Sequence, residues 1–282
     1  MRRNELHYKN QIFNEDVMKI LKTIPDNSLD MVYGDPDYNV GINYAGKKYT
    51  QKWNDYIDWY IELTKECMRV LKPTGSLFMM NYPKQNAHLR AKYLDDNAYD
   101  VQDYVWIYNT MVGHSPRRFT TAHRSILHAT KTKNNNFYKE QVAIPYLNLN
   151  DKRIKRRIAS GHLGKNPFSW FYFDLVKNVS KDKTFHPCQI PLGLVEMLIK
   201  SCTKENDDVF ILFGGSGNEL LLCRDLKRNF ISCELSPEFY NMILDRLNSE
   251  KRHIKSEYRL QNQTKRKNTL FSKIMAKQKA EF

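Results

Sequence analysis

Along most of the chain, short apolar runs of strand length alternate with longer stretches whose apolar residues recur at helical spacing, and this alternation restricts the fold more than any single motif. Leu29–Gly34, Asn229–Cys233 and residues 76–80, 101–108, 125–130 and 208–213 have the length and apolar character of strands. Between them, residues 14–24 repeat Val17, Met18, Ile20, Leu21 and Ile24 behind Asn14 as N-cap, and residues 57–71, 192–201, 237–247 and a stretch from Gly217 read as further helices. The alternation predicts an α/β fold with a doubly wound, mostly parallel sheet and helices on both faces. The rhythm breaks between about 134 and 182. That stretch is polar, basic and dotted with Gly161, Gly164 and Pro167 before Trp170, Phe171, Tyr172 and Phe173, so it reads as an insertion or subdomain with the aromatic group as core.

With 282 residues, 41% of them apolar, the chain can bury one well-packed domain. No stretch approaches the ~18 consecutive apolar residues needed to cross a bilayer, and polar residues rather than an apolar segment follow Arg2 and Arg3. A soluble protein without membrane contact is expected, with the cytosol as its address. Cys67, Cys188, Cys202, Cys223 and Cys233 are odd in number and contain no C-x-x-C pair, so they read as reduced core thiols. The eight histidines have no zinc-ligand spacing, and no metal is predicted.

The net charge of +14 suits a polyanionic partner, because each cation set against a phosphate releases a counterion. The excess is uneven. From Lys251 onward, ten Lys and Arg face only Glu257 and Glu281, a net of +8 in the tail. Arg117, Arg118 and Arg124, with Lys131 and Lys133, form a second cluster, and Lys152, Arg153, Lys155, Arg156 and Arg157 a third. Charge alone separates neither a binding face from a solvated one nor DNA from RNA.

Two segments carry chemistry. Phe213, Gly214, Gly215, Ser216, Gly217 and Asn218 lie between a predicted strand and helix, and Glu234 ends the next strand, 17 residues after Gly217. Glycines let a nucleoside ligand approach the backbone, and a carboxylate one strand away can accept from ribose hydroxyls. Leu220 occupies the last position of a G-x-G-x-x-G pattern, so a dinucleotide is not favoured. Asp35, Pro36, Asp37 and Tyr38 follow another predicted strand, at the edge where open α/β sheets place ligands. A carboxylate beside a rigid carbonyl offers two acceptors to an exocyclic amino group, and the adjacent Tyr offers a ring for a planar base.

Together these segments resemble the β subgroup of the amino methyltransferases of bacterial restriction-modification systems. Asp35 to Tyr38 is similar to their D-P-P-Y motif, Phe213 to Gly217 to their F-x-G-x-G loop, and Phe230 to Phe239 to their F-I-G-x-E-L-x-P-E-Y segment. His186, Pro187, Cys188, Gln189, Ile190 and Pro191 resemble their H-P-T-Q-K-P sequence. The resemblance covers roughly residues 10 to 248 and implies a Rossmann-like class I methyltransferase fold, S-adenosylmethionine as cofactor and double-stranded DNA as substrate, with base flipping. It implies a catalytic part at 1–113, a target-recognition region at 114–182, a cofactor-binding part at 183–248 and a basic tail at 249–282. By position, Asp35, Pro36 and Tyr38 would act on the target base. Asp35, Asp37, His186, Gln189, Glu234 and residues 213–218 would hold the cofactor. Arg117, Arg118, Arg124 and the Lys152 to Arg157 cluster would contact DNA phosphates.

The motif begins with Asp, whereas cytosine-N4 enzymes of the family commonly begin with Ser, so the resemblance implies adenine N6, with cytosine N4 as the alternative. Four departures stand out: Asp37 for the second proline, Ile190 for Lys, Asn218 for Thr, and Ile211 where the family usually has a strand-end Asp. Asp37 is a candidate replacement for that missing carboxylate. The departures also motivate a different reading, a degenerate methyltransferase serving as a DNA-binding or specificity subunit beside an active partner methyltransferase. A homodimer is compatible with the resemblance, since members of the β subgroup are often dimers.

Overall fold

A computed structural model describes residues 8–44, 46–109, 116–162, 164–176 and 183–249. Its centre is an eight-stranded sheet formed by β1 (Gln11–Phe13), β2 (Leu29–Gly34), β3 (Leu71–Asn81), β4 (Asp100–Ile107), β5 (His123–Thr130), β6 (Trp170–Tyr172), β7 (Asp208–Ile211) and β8 (Asn229–Cys233). The order across the sheet is β1-β8-β7-β2-β3-β5-β4-β6. Every pairing is parallel except those of β5, which runs antiparallel to both β3 and β4. The doubly wound expectation therefore holds with one reversed strand.

The central strands send alternate side chains to opposite faces, as the two-residue period of a strand requires. Met31, Tyr33, Phe78, Met80, Val209 and Ile211 enter one core, while Val32, Leu77, Met79 and Phe210 enter the other. Helices α1 (Val17–Leu21), α2 (Trp53–Val70) and α3 (Pro83–Leu89) cover the second core. Beyond the exposed helix α4 (Lys152–Ala159), the first core is covered by α5 (Leu192–Cys202), α6 (Asn218–Asp225) and α7 (Pro237–Asn248). Both faces of β2, of the 76–81 half of β3 and of most of β7 are thus dry, which explains their apolar runs.

Several boundaries differ from expectation. The N-cap of α1 is Asp16, whose Oδ1 accepts from the Met18 N–H at 2.9 Å; the Asn14 amide instead donates to the Glu234 carbonyl at 2.7 Å. Strand β3 begins at Leu71 and runs through Pro73 and Gly75, with a register irregularity between Leu29 and Met31. The stretch read as a subdomain is stitched into the main body. Its β6 is the sheet's edge strand beside β4, Phe171 and Phe173 are buried in the first core as expected, and the Arg228 guanidinium donates to Gln141 Oε1 at 3.1 Å.

Cys67, Cys202, Cys223 and Cys233 are buried free thiols, but Cys188 is half-buried and lines a cavity rather than the core. No described helix is long and apolar enough to cross a membrane. The basic tail beyond Ser249 lies outside the described residues, as does residue 114, where the recognition region was expected to start.

Candidate active site

Because β2, β3, β7 and β8 are mutually parallel, the segments that leave their carboxyl ends gather at one edge of the sheet. Asp35 to Tyr38 leaves β2, Tyr82 leaves β3, the glycine turn leaves β7, and Glu234 follows β8. Strand order reverses about β2, and a cavity of about 300 Å³ opens there. Of the residues expected to hold a cofactor, Asp35, Asp37, His186, Phe213, Gly214, Gly215, Ser216 and Glu234 line this cavity. Gln189, Gly217 and Asn218 stand behind its wall. Gln189 Nε2 donates to Asn218 Oδ1 at 3.2 Å, and Asn218 Nδ2 donates to the Ile190 carbonyl at 2.9 Å, so these two side chains tie the 186–191 segment to the start of α6.

The glycine turn needs its glycines. Gly215 and Gly217 have φ of +53° and +77°, a region that costs a side chain roughly 1–2 kcal/mol. The turn is closed by the Gly214 N–H donating to the Cys233 carbonyl at 2.7 Å and by the Gly215 N–H donating to Glu234 Oε2 at 2.8 Å. Glu234 Oε1 accepts from the Ser236 N–H at 2.9 Å, while burial raises its pKa.

The Asp35 to Tyr38 turn is fixed from three directions. The Tyr38 hydroxyl donates to Asp35 Oδ1; Gln85 Nε2, from α3, donates to the Tyr38 carbonyl at 2.8 Å; the Tyr56 hydroxyl, from α2, donates to the Asp37 carbonyl at 2.7 Å. Asn81 Nδ2 in turn donates to the Tyr56 hydroxyl at 2.9 Å. Tyr56→Phe removes the pin on Asp37 and leaves the buried Asn81 amide short of an acceptor. The expected outcome is a stability loss of about 1–3 kcal/mol, read by thermal unfolding, and a fall in turnover of less than about tenfold; unchanged values for both would show that the turn holds itself.

The electrostatics of the cavity oppose those of the chain. Its described wall carries Glu15, Asp16, Asp35, Asp37, Glu219 and Glu234 but no Lys or Arg, and burial pushes the one imidazole, His186, down to about 4, so that it is neutral. Burial raises Asp35 to about 7 and Glu219 to about 8. Asp37 Oδ1 accepts from the Asn39 N–H at 2.8 Å, whereas its Oδ2 is buried without a partner. An orphaned buried acceptor in an acidic wall fits a ligand that brings positive charge and N–H donors. Tyr44, Tyr49, Tyr56, Trp59, Phe213 and Phe239 supply an aromatic lining.

Arg124 is not on the outer surface. It is half-buried at the start of β5, with its guanidinium 4.0 Å from the Tyr82 ring centroid, 5.2 Å from that of Tyr108 and 5.3 Å from that of Tyr38. It also donates to the Tyr108 hydroxyl. The reversed direction of β5 is the cause, since a parallel strand would have placed its first residues at the opposite edge. Arg117 and Arg118 are exposed, and so are the five basic residues of α4, a helix that buries none of its residues.

Glu219, Tyr44, Tyr49, Tyr56 and Trp59 also line the wall and were missed by sequence reasoning. The aromatic spacing of Tyr56, Trp59 and Tyr60 reads as the inner face of a helix, and much of α2 is indeed core. Position relative to the two motifs was the one available signal for Glu219, which lies two residues beyond the glycine turn.

A family model described as DNA methylase matches residues 29–245. The type II methyltransferase M.BglII of Bacillus subtilis is 30% identical over 256 residues, which cover 86% of this chain and 69% of that protein. DNA adenine methyltransferase YhdJ of Escherichia coli (strain K12) is 26% identical over 242 residues, covering 84% and 82% respectively. Among solved structures, the PvuII DNA methyltransferase, described as cytosine-N4-specific, is similar with a TM-score of 0.65 at 19% identity, covering 86% of this chain and 88% of the other, a likeness of fold.

Proposed function

The chain belongs to the N6/N4 DNA methylase family, and on that premise we propose that it methylates adenine N6 in double-stranded DNA, at a base rotated out of the helix, as the modification enzyme of a restriction-modification system. The observation that carries this reading is an acidic, aromatic cavity opening beside Asp35 to Tyr38 in a chain of net charge +14. S-adenosylmethionine, the proposed cofactor, supplies a methyl group on a positively charged sulfur. The protein's task is then mainly alignment. Asp35 and the Pro36 carbonyl accept hydrogen bonds from the target amino group, raising its nucleophilicity as the nitrogen rehybridises, and the Tyr38 ring stacks on the base.

Asp37, His186, Phe213, Gly214, Gly215, Ser216 and Glu234 hold the cofactor directly, with Gln189, Gly217 and Asn218 supporting them from behind. Arg117, Arg118 and the α4 cluster contact phosphates, and the region 114–182 reads the target sequence. The leading Asp of the motif and the resemblance to an enzyme named for adenine favour adenine; likeness of fold to a cytosine-N4-specific enzyme keeps N4 of cytosine as the alternative.

The test is transfer of radiolabelled methyl from S-adenosylmethionine to unmethylated DNA by the purified chain alone, followed by identification of the modified nucleoside by mass spectrometry. N6-methyladenine is the expected product. N4-methylcytosine would replace the target base, and no transfer by a folded, DNA-binding chain would favour a degenerate specificity subunit that needs a partner.

A further inference from the structure

Glu219 is the second residue of α6 and is 5% exposed, yet it lines the cavity. Its neighbours in the helix, Leu220 and Leu221, are fully buried, and its carboxyl bonds to its own backbone N–H. The titratable and charged groups facing it are Tyr33 on β2, Asp35 just beyond β2, Cys223 one turn along α6, and Arg246 on α7. Arg246 is committed to the Ser216 carbonyl and to Asn218 Oδ1, the latter at 2.9 Å. The Tyr33 hydroxyl is buried without a partner. On this side of the sheet the end of β7 carries Ile211, an apolar core side chain, so Glu219 is the carboxyl that approaches Asp35 from α6.

A carboxyl in this position is costly to the fold, because burial penalises its charge and Asp35 repels it. A ligand cation offsets both penalties. We propose that Glu219 is a cofactor-positioning residue that faces the positive sulfur of the methyl donor, so that the site distinguishes the charged cofactor from its neutral thioether product. The inference rests on the reading of the cavity as the S-adenosylmethionine site. Asp35 marks where the amino group must meet the methyl, so the donor's charge has to lie close to Asp35, and Glu219 is close enough to Asp35 for that carboxylate to oppose its ionisation. With burial raising Glu219 to about 8, the empty site holds a proton at neutral pH. Entry of a cation expels that proton to the buffer, and loss of the charge on transfer lets Glu219 recover one from solvent.

The test is titration calorimetry of the whole chain at pH 7 with S-adenosylmethionine and with S-adenosylhomocysteine, each in two buffers of different ionisation enthalpy. The wild type should release more protons with the charged ligand than with the neutral one. Glu219→Gln should lose about tenfold in affinity for S-adenosylmethionine, stay within about twofold for S-adenosylhomocysteine, and release fewer protons. Equal losses for both ligands, an unchanged affinity for the charged one, or a wild type that releases the same number of protons with each would overturn the inference while leaving the cofactor reading intact. The wild-type comparison decides even if the variant does not fold. Binding of neither ligand would overturn both.

Discussion

Asp35→Ala and Asp35→Asn are expected to lower methyl transfer by on the order of 10²–10³, the cost of removing one well-placed group that stabilises developing charge. The residue stands at the end of β2, where burial raises its carboxyl to about 7 while the Tyr38 hydroxyl and Arg124 pull it down and Asp37 adds to the rise. Asn keeps the shape and one oxygen but puts N–H donors where the target amino group needs acceptors. Single-turnover transfer should therefore collapse in both variants, while affinity for S-adenosylhomocysteine, measured separately, stays within a few-fold in Asp35→Asn. A loss of less than tenfold would move the acceptor role elsewhere.

The same substitution has an opposite consequence for stability. A carboxyl whose pKa is higher in the folded state than its ordinary 3.8 stabilises the fold fully below that value, and this contribution is lost as pH rises through about 7. Asn removes the ionisation. At pH 8 Asp35→Asn should melt above the wild type, by roughly 2–4 °C for each kcal/mol recovered, and the gap should narrow below pH 7 and close only as the pH falls towards 3.8.

What could be read from the sequence was local in the chain. Residues Asp35 to Tyr38 and Phe213 to Asn218 announce themselves because each is a short run whose geometry its own residues set. The strands β2 and β8 and the helix α7 fall close to where their apolar patterns put them. Strand direction was not legible. The buried run from Ser125 to Thr130 reads equally well in either sense, and its reversal is decided by where the connection from β4 returns it to the sheet. That one reversal carries Arg124 from an expected phosphate contact to the edge that holds Asp35. The cavity wall was illegible for a different reason: Tyr56, Trp59 and Glu219 lie on helix faces that are otherwise core, and nothing in helical spacing says which members of a buried face look into a cavity.

Arg124→Ala should then lower kcat by on the order of tenfold to a hundredfold and move the acidic limb of the pH–rate profile to higher pH. The guanidinium favours the ionised form of Asp35, so its removal raises the carboxyl further above 7, and a larger share of the enzyme at neutral pH carries a proton where an acceptor is required. That part of the loss should be recovered at pH 9. The remainder should not, because Arg124 also fills the space among Tyr38, Tyr82 and Tyr108, and a planar cation over aromatic faces contributes about 0.5–2 kcal/mol to their order. Arg124→Lys separates the two effects: it keeps the charge and should return the pH limb, but it lacks the planar surface and should leave kcat depressed. If Arg124 served instead as a phosphate contact, the Ala variant would keep kcat and its pH profile, raise KM for DNA, and reduce the salt dependence of binding by about one counterion. Such a result would mean that the guanidinium leaves its aromatic surroundings when DNA arrives, and that Asp35 reaches its working ionisation through Tyr38 alone.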